Sequence, residues 1–131
     1  MNRAKDWLDQ AKRDLDHAHQ SIGLGHFEWA CFAAQQAAEK AVKALHMHLG
    51  TVAWGHSVFE LLDGLSHEQR PPEILLDQGK LLDRFYMPPR YPNAHPAGPP
   101  FQFYTRSDAE QGVATAREVV TYCERQILPP R

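Results

Sequence analysis

The segment Phe27-Glu28-Trp29-Ala30-Cys31-Phe32-Ala33-Ala34-Gln35-Gln36-Ala37-Ala38-Glu39-Lys40-Ala41-Val42-Lys43-Ala44-Leu45-His46-Met47-His48-Leu49 decides the fold class. Ala30, Ala33, Ala34, Ala37, Ala38, Ala41 and Ala44 give it high helix propensity and small faces that let another backbone approach closely. Glu39 and Lys43 stand four apart in the favourable order, and Gly50 fits a helix C-cap. Such a segment is expected to be the central helix of a bundle. Its alanine face suits either the intramolecular core or part of a two-fold interface between copies.

On the N-terminal side, Leu8, Ala11, Leu15, Ala18 and Ile22 recur at helical spacing from about Arg3 to Ile22, with Asp6, Asp9, Lys12, Arg13 and Asp16 between them. Gly23-Leu24-Gly25-His26 then breaks the chain as a helix–helix turn. It follows a helix, not a strand, and lacks the third glycine and the Lys-Ser/Thr of nucleotide loops.

Downstream, Ser57-Val58-Phe59-Glu60 has the pattern of a capping box for a short helix through about Leu65. Pro71-Pro72 opens a fourth helix carrying Leu75, Leu82 and Phe85, which ends before Met87-Pro88-Pro89. The stretch from Met87 to Phe103 holds six prolines and no helical period. Ser107-Asp108-Ala109-Glu110 is a second capping-box pattern. It precedes a last helix with Val113, Ala116, Val120, Cys123 and Ile127 on one stripe. The expected fold is all-α: an up-and-down bundle of four main helices plus a short one, with a long proline-rich loop before the last helix.

With 131 residues, a single domain over the whole chain is expected, burying roughly two thirds of its unfolded surface. A net charge of −2 provides no global field to recruit nucleic acid, so RNA binding would need a local positive patch. The start Met1-Asn2-Arg3-Ala4-Lys5-Asp6 has no apolar signal region, and no window reaches roughly 18 consecutive apolar residues. Cys31 and Cys123 fall on apolar helical stripes, as reduced core thiols do. A cytoplasmic protein without a membrane span is expected.

Candidate chemistry concentrates on Arg90-Tyr91-Pro92-Asn93-Ala94-His95. Metal-free RNA cleavage needs a base for the 2′-hydroxyl proton and a cation for charge developing on phosphate. His titrates near neutral pH, and Arg offers a bidentate fork. The spacing alone is weak evidence, since Arg13 and His19 reproduce it inside an ordinary amphipathic helix. The bland alternative has Arg90 capping a helix end or pairing with an acid, and His95 as a solvated loop histidine. Tyr86, Tyr91, Phe101, Phe103 and Tyr104, with Arg84, Arg90 and Arg106, would either stack bases or fasten the loop. Fastening is expected for most of them. The eight histidines do not indicate a metal. His17/His19 and His46/His48 point apart on their helices, and His56 and His67 lack partners at ligand spacing. No cofactor is indicated.

Gln35-Gln36-Ala37-Ala38-Glu39-Lys40-Ala41-Val42-Lys43-Ala44-Leu45 resembles the signature of bacterial HEPN-domain proteins. Gly55-His56-Ser57 with Leu61-Leu62, Leu82-Asp83-Arg84-Phe85-Tyr86 with Arg90-Tyr91-Pro92, and the closing helix with Ala116, Val119 and Cys123 are similar to the following blocks of that family. The resemblance covers nearly the whole chain and implies a stand-alone HEPN bundle that forms a homodimer. It also implies a minimal nucleotidyltransferase as partner, in a toxin–antitoxin-like pair. Many members are metal-independent ribonucleases whose Arg–His motif lines a cleft between protomers. Carried over, Arg90 would bind and polarise the scissile phosphate and His95 would act as general base or acid. Tyr91, Asn93 and Arg84 would contact RNA or nucleotide. Tyr91 stands where those ribonucleases commonly carry Asn, Asp or His. Ala97 stands where a toxin subgroup carries a modifiable tyrosine. The Arg-Tyr-Pro form is also compatible with a non-catalytic module that binds nucleotide or supports the transferase.

Overall fold

A computed structural model of the chain describes residues 2–128, apart from the side chain of His67, so the sequence reading of His67 falls outside the described residues. Five α-helices follow in order: α1 (Ala4–Gly23), α2 (Phe27–His48), α3 (Val58–Asp63), α4 (Glu73–Asp83) and α5 (Arg106–Ile127). Single 3-10 turns at His67–Gln69, Pro92–Ala94 and Pro100–Gln102 complete the regular structure, and no strand occurs among the described residues. The all-α bundle of four main helices, one short helix and a proline-rich loop is the architecture the sequence predicts.

The centre is α2, packed against α1 on one side and α5 on the other. Its alanines are buried within the one chain: Ala30, Ala34, Ala37, Ala38, Ala41 and Ala44 are wholly covered. The alanine face is therefore intramolecular core. The stripes of Leu8, Ala11, Leu15, Ala18 and Ile22 and of Val113, Ala116, Val120, Cys123 and Ile127 close onto it. Each fully buried leucine contributes about 1.5–3 kcal/mol by leaving water. Ion pairs at the seams fix the register of the helices. Lys40 meets Asp14 across α1 and α2 at 2.6 Å, and Lys12 meets Glu124 across α1 and α5 at 2.6 Å. Gly25, at φ +77°, makes the α1–α2 turn in a conformation that favours glycine.

The short α3 and α4 form a hairpin laid against α2 and α5. They touch backbone to backbone at one point: a Cβ on Gly79 would lie 2.9 Å from both Cα and N of Phe59. The helix ends differ from the sequence expectation in three ways. Only half of the Ser57 box forms: Ser57 Oγ accepts from Glu60 N–H at 3.1 Å, while the Asp83 carboxylate accepts from Ser57 Oγ–H and Val58 N–H. The Asp83 carboxylate at the end of α4 thereby satisfies an orphan backbone donor in the first turn of α3. That helix also ends at Asp63, not Leu65, and Phe85 lies just beyond α4. The last helix starts at Arg106, and its capping box is Thr105 with Asp108, not Ser107 with Glu110. Tyr104, just before this start, is held edge-on against buried Phe85.

Candidate functional site

The proline-rich loop is folded onto the bundle. Pro89 is fully buried and Pro100 is buried, and the 3-10 turns at Pro92 and Pro100 give the segment a defined path. His95 stacks on Phe103 at 4.7 Å with the rings 8° from parallel, and meets Tyr104 edge-on at 6.1 Å. Phe103 and Tyr104 thus fasten the loop as expected. Phe101 and Tyr91 remain exposed.

Arg90 lies where this loop meets α2. Its Nε–H donates to the Tyr86 carbonyl at 2.8 Å, in the turn three residues beyond the end of α4, so it braces that turn and does not cap the helix. The guanidinium carbon sits 4.2 Å from the ring centre of Phe32, 4.7 Å from Tyr86 and 5.0 Å from Tyr91. Each such contact is worth about 0.5–2 kcal/mol, and together they fix the plane of the group. Among the described residues, no carboxylate contacts it. The two Nη groups have only long ones, Tyr91 Oη at 3.5 Å and Met87 Sδ at 3.4 Å. A half-buried, oriented guanidinium with its outer fork this free is built to receive an anion.

His95 departs from the bland sequence reading. It is not a solvated histidine: its Nε2–H donates to the Pro88 carbonyl at 2.7 Å. That bond sets the neutral tautomer and leaves Nδ1 as the nitrogen free to exchange a proton. The contacts of Arg90 and His95 do not overlap, one lying among Phe32, Tyr86 and Tyr91, the other against Pro88, Phe103 and Tyr104. The loop therefore holds both side chains without bringing them into contact. Arg84 and Asn93 are exposed beside them, the first at the C-cap of α4 and the second in the 3-10 turn.

A cluster that spacing did not reveal adjoins Arg90. The His56 ring stacks on Tyr86 at 4.6 Å and 15°, and its Nδ1 lies 3.1 Å from Oε1 of Glu39 on α2. Facing a carboxylate, Nδ1 carries the proton. Glu39 is only 6% exposed, and its Oε2 is paired with Lys43 Nζ at 3.2 Å, the ion pair expected from the sequence. Gln35, fully buried, donates to both the Glu39 carboxylate (3.2 Å) and the His56 carbonyl (2.9 Å). His56 thus has an acidic partner although none stands at metal-ligand spacing in the sequence. The partner is 17 residues upstream on another element, outside any ligand-spacing window. The one available signal was a glutamate set among the alanines of a helix buried on nearly all sides.

Among the described residues, no group of three or more His, Cys, Asp or Glu side chains converges as a metal-ligand set. No helix among them is long and apolar enough to cross a membrane. Burial pushes the Cys31 thiol up to about 12 and raises Cys123 too, so neither is an activated nucleophile.

Comparison with known proteins gives the same answer at three levels. A crystal structure from Thermus thermophilus superposes with a TM-score of 0.94 at 52% identity, covering 96% of this chain and 99% of that one. An archaeal HEPN homologue superposes with a TM-score of 0.83 at 38% identity, covering 97% and 99%. A HEPN domain protein from Thermotoga maritima gives 0.77 at 39%, covering 95% and 99%. A Methanocaldococcus jannaschii protein named "Putative toxin" is 26% identical over 126 residues, which is 89% of this chain and 83% of that protein. The model of the HEPN domain matches residues 4–126, and this chain belongs to the HEPN domain family.

Proposed function

We propose that this chain is the HEPN component of a toxin–antitoxin-like pair. In this reading it acts in the cytoplasm as a homodimer beside a minimal nucleotidyltransferase, and cleaves RNA without a metal ion at the Arg90–His95 loop. The carrying observation is the Arg90 guanidinium, oriented by Phe32, Tyr86 and Tyr91, held by one short hydrogen bond through Nε and without a carboxylate contact among the described residues. Such a group binds a phosphodiester through its outer fork and stabilises the charge that builds up as phosphorus becomes five-coordinate. His95 supplies the second group, exchanging a proton at Nδ1 while Pro88 holds Nε2. Tyr91, Asn93 and Arg84, exposed at the rim, would contact the flanking base, sugar and phosphate. The likeness to the protein named as a toxin supports the toxin-like role.

The dimer is supported by where apolar surface remains. Trp29, Trp54, Met87, Tyr91, Phe101 and Phe103 are all exposed, and all lie on segments that contribute to or adjoin the loop and its aromatic cage. Exposed apolar surface of this kind marks an interaction face.

A second reading is favoured by one specific observation, the commitment of His95 Nε2 to a backbone carbonyl, which also suits a purely structural histidine. In that case the chain is a non-catalytic module that binds nucleotide or supports the transferase. Purified protein incubated with RNA in EDTA separates the two. Wild type should cleave, Arg90→Ala should lose about 10²–10³-fold in rate, and His95→Ala should also lose activity. Cleavage indifferent to both substitutions, or absent from the wild type, would leave only the binding module.

A further inference from the structure

We propose that His56, oriented by Glu39, is the proton acceptor of the Arg90 site. The assignment rests on the ribonuclease reading above and names a residue that reading does not use. Three histidines of the chain make side-chain hydrogen bonds among the described residues, and they divide clearly. His46 is buried and spends both nitrogens inside the fold, on Thr51 Oγ1 (2.9 Å) and the Leu61 carbonyl (2.8 Å). His95 spends Nε2 on the Pro88 carbonyl. His56 alone of the three is held by a carboxylate, at Nδ1, while its side chain stays 56% exposed and its Nε2 makes no hydrogen bond with the described residues.

Everything about His56 except that nitrogen is restrained. Gln35 pins its backbone carbonyl, Glu39 fixes the tautomer, and Tyr86 fixes the ring plane. A buried carboxylate behind an imidazole keeps the lone pair on the outward nitrogen and stabilises the imidazolium once that nitrogen has taken a proton. Lys43 accepts no proton in this scheme. It balances the Glu39 charge, which lets that carboxylate remain ionised in a buried position. Tyr86 is the wall common to both groups: His56 stacks on it at 4.6 Å, and the Arg90 guanidinium lies 4.7 Å from its centre. The base and the phosphate-binding cation therefore pack against the same ring, a common neighbour that Arg90 and His95 do not have.

In the reaction, His56 Nε2 takes the 2′-hydroxyl proton as O2′ forms its bond to phosphorus. The bond from phosphorus to O5′ breaks, leaving a 2′,3′-cyclic phosphate. The 5′-oxygen departs with the proton that His95, as imidazolium, carries on Nδ1. Exchange with water then returns both imidazoles to their starting states.

The test uses full-length protein, an RNA oligonucleotide and a matched strand with 2′-deoxyribose at the cleaved position. His56→Ala should slow cleavage by about 10²–10⁴-fold, and added imidazole should restore part of that rate. Binding of the deoxy strand should survive His56→Ala and weaken in Arg90→Ala. Glu39→Gln should retain the fold by circular dichroism, slow cleavage less than His56→Ala does, and displace the acidic limb of the pH–rate profile. The groups facing His56 in that profile are Glu39 and Lys43 from α2, Tyr86 and Arg90 from the end of α4 onward, and Asp83 beside Ser57. If His56→Ala cleaves at the wild-type rate while Arg90→Ala does not, the assignment of His56 is wrong and the ribonuclease reading stands. A loss without imidazole rescue, accompanied by weaker binding of the deoxy strand, makes His56 a binding or structural residue and overturns the assignment. A wild type that cleaves nothing overturns both.

Discussion

Gly79→Ala tests whether the α3–α4 hairpin is as tightly set as its geometry implies. Two opposing effects decide the outcome. Replacing glycine inside a helix with alanine gains about 1 kcal/mol in helix propensity. The new methyl carbon, however, would stand 2.9 Å from the Cα and N of Phe59, and these are backbone atoms of α3 that no rotamer change can move. Ordinary contact needs 3.4–4 Å, so α4 would have to move outward by half an ångström or more, or α3 would have to yield. Overpacking of this kind costs about 1–3 kcal/mol, and a contact with backbone belongs near the upper end. The expected net loss is about 1–2 kcal/mol, or roughly 3–8 °C in melting temperature for a domain of this size. Gly112→Ala is the matched control. Its Cβ would meet Phe85 Cε2 at 3.2 Å, the edge of a side chain that can tilt, so propensity should cancel most of the cost. Thermal melts followed by circular dichroism compare the two directly. A Gly79→Ala protein that melts at or above the wild-type temperature would refute the backbone contact. The same substitution should weaken activity at the proposed site, because His56 precedes α3 while Tyr86 and Arg90 follow α4.

Asp83→Ala removes the acceptor of Ser57 Oγ–H and Val58 N–H, and should cost about 2–3 kcal/mol in urea unfolding with little change in the denaturant slope. A loss below half a kilocalorie would mean that water or Glu60 caps α3 equally well. Cys31 and Cys123 should resist thiol reagents at pH 8 in the folded protein and react together once denaturant is added. Rapid labelling of either in the native state would show that the core opens around α2 or α5. The same thiols predict a loss of stability in alkali. In the unfolded chain they ionise near 9.0, but the fold holds the Cys31 proton until about 12, so stability is whole below about pH 9 and falls as pH climbs through that window. Melting temperatures that stay constant from pH 9 to 11 would contradict it.

The bundle was legible because its information is local. A stripe such as Leu8, Ala11, Leu15, Ala18 and Ile22 is written at the period of the helix that uses it, and all five residues are buried. Helix ends were less legible because their chemistry is shared with distant groups. Ser57 and Glu60 have the spacing of a capping box, yet Ser57 Oγ–H and Val58 N–H go to Asp83, from another helix. At α5 two overlapping patterns, Thr105 with Asp108 and Ser107 with Glu110, both satisfy the local rule. The structure uses the first, with Tyr104 beside the cap seated edge-on against Phe85, a contact that no window around the helix start contains.

The candidate site is only partly legible by local rules, for a reason that bears on how motifs are weighed. A pair such as Arg90 and His95 specifies which side chains are near in sequence, whereas proton transfer depends on which ring nitrogen is free. Pro88 decides that for His95, and Glu39 decides it for His56. Arg90 likewise owes its orientation to Phe32, contributed by a helix formed much earlier in the chain. The fold brings these groups together because α2, nearly all of whose faces are covered, carries polar Gln35, Glu39 and Lys43 where the α3–α4 hairpin crosses it. Burying a carboxylate there is costly unless every lone pair is engaged. The fold engages Glu39 through Gln35, Lys43 and His56. Of these three, only His56 extends into solvent beside the Arg90 cage, so the bond that satisfies Glu39 also leaves His56 Nε2 facing outward.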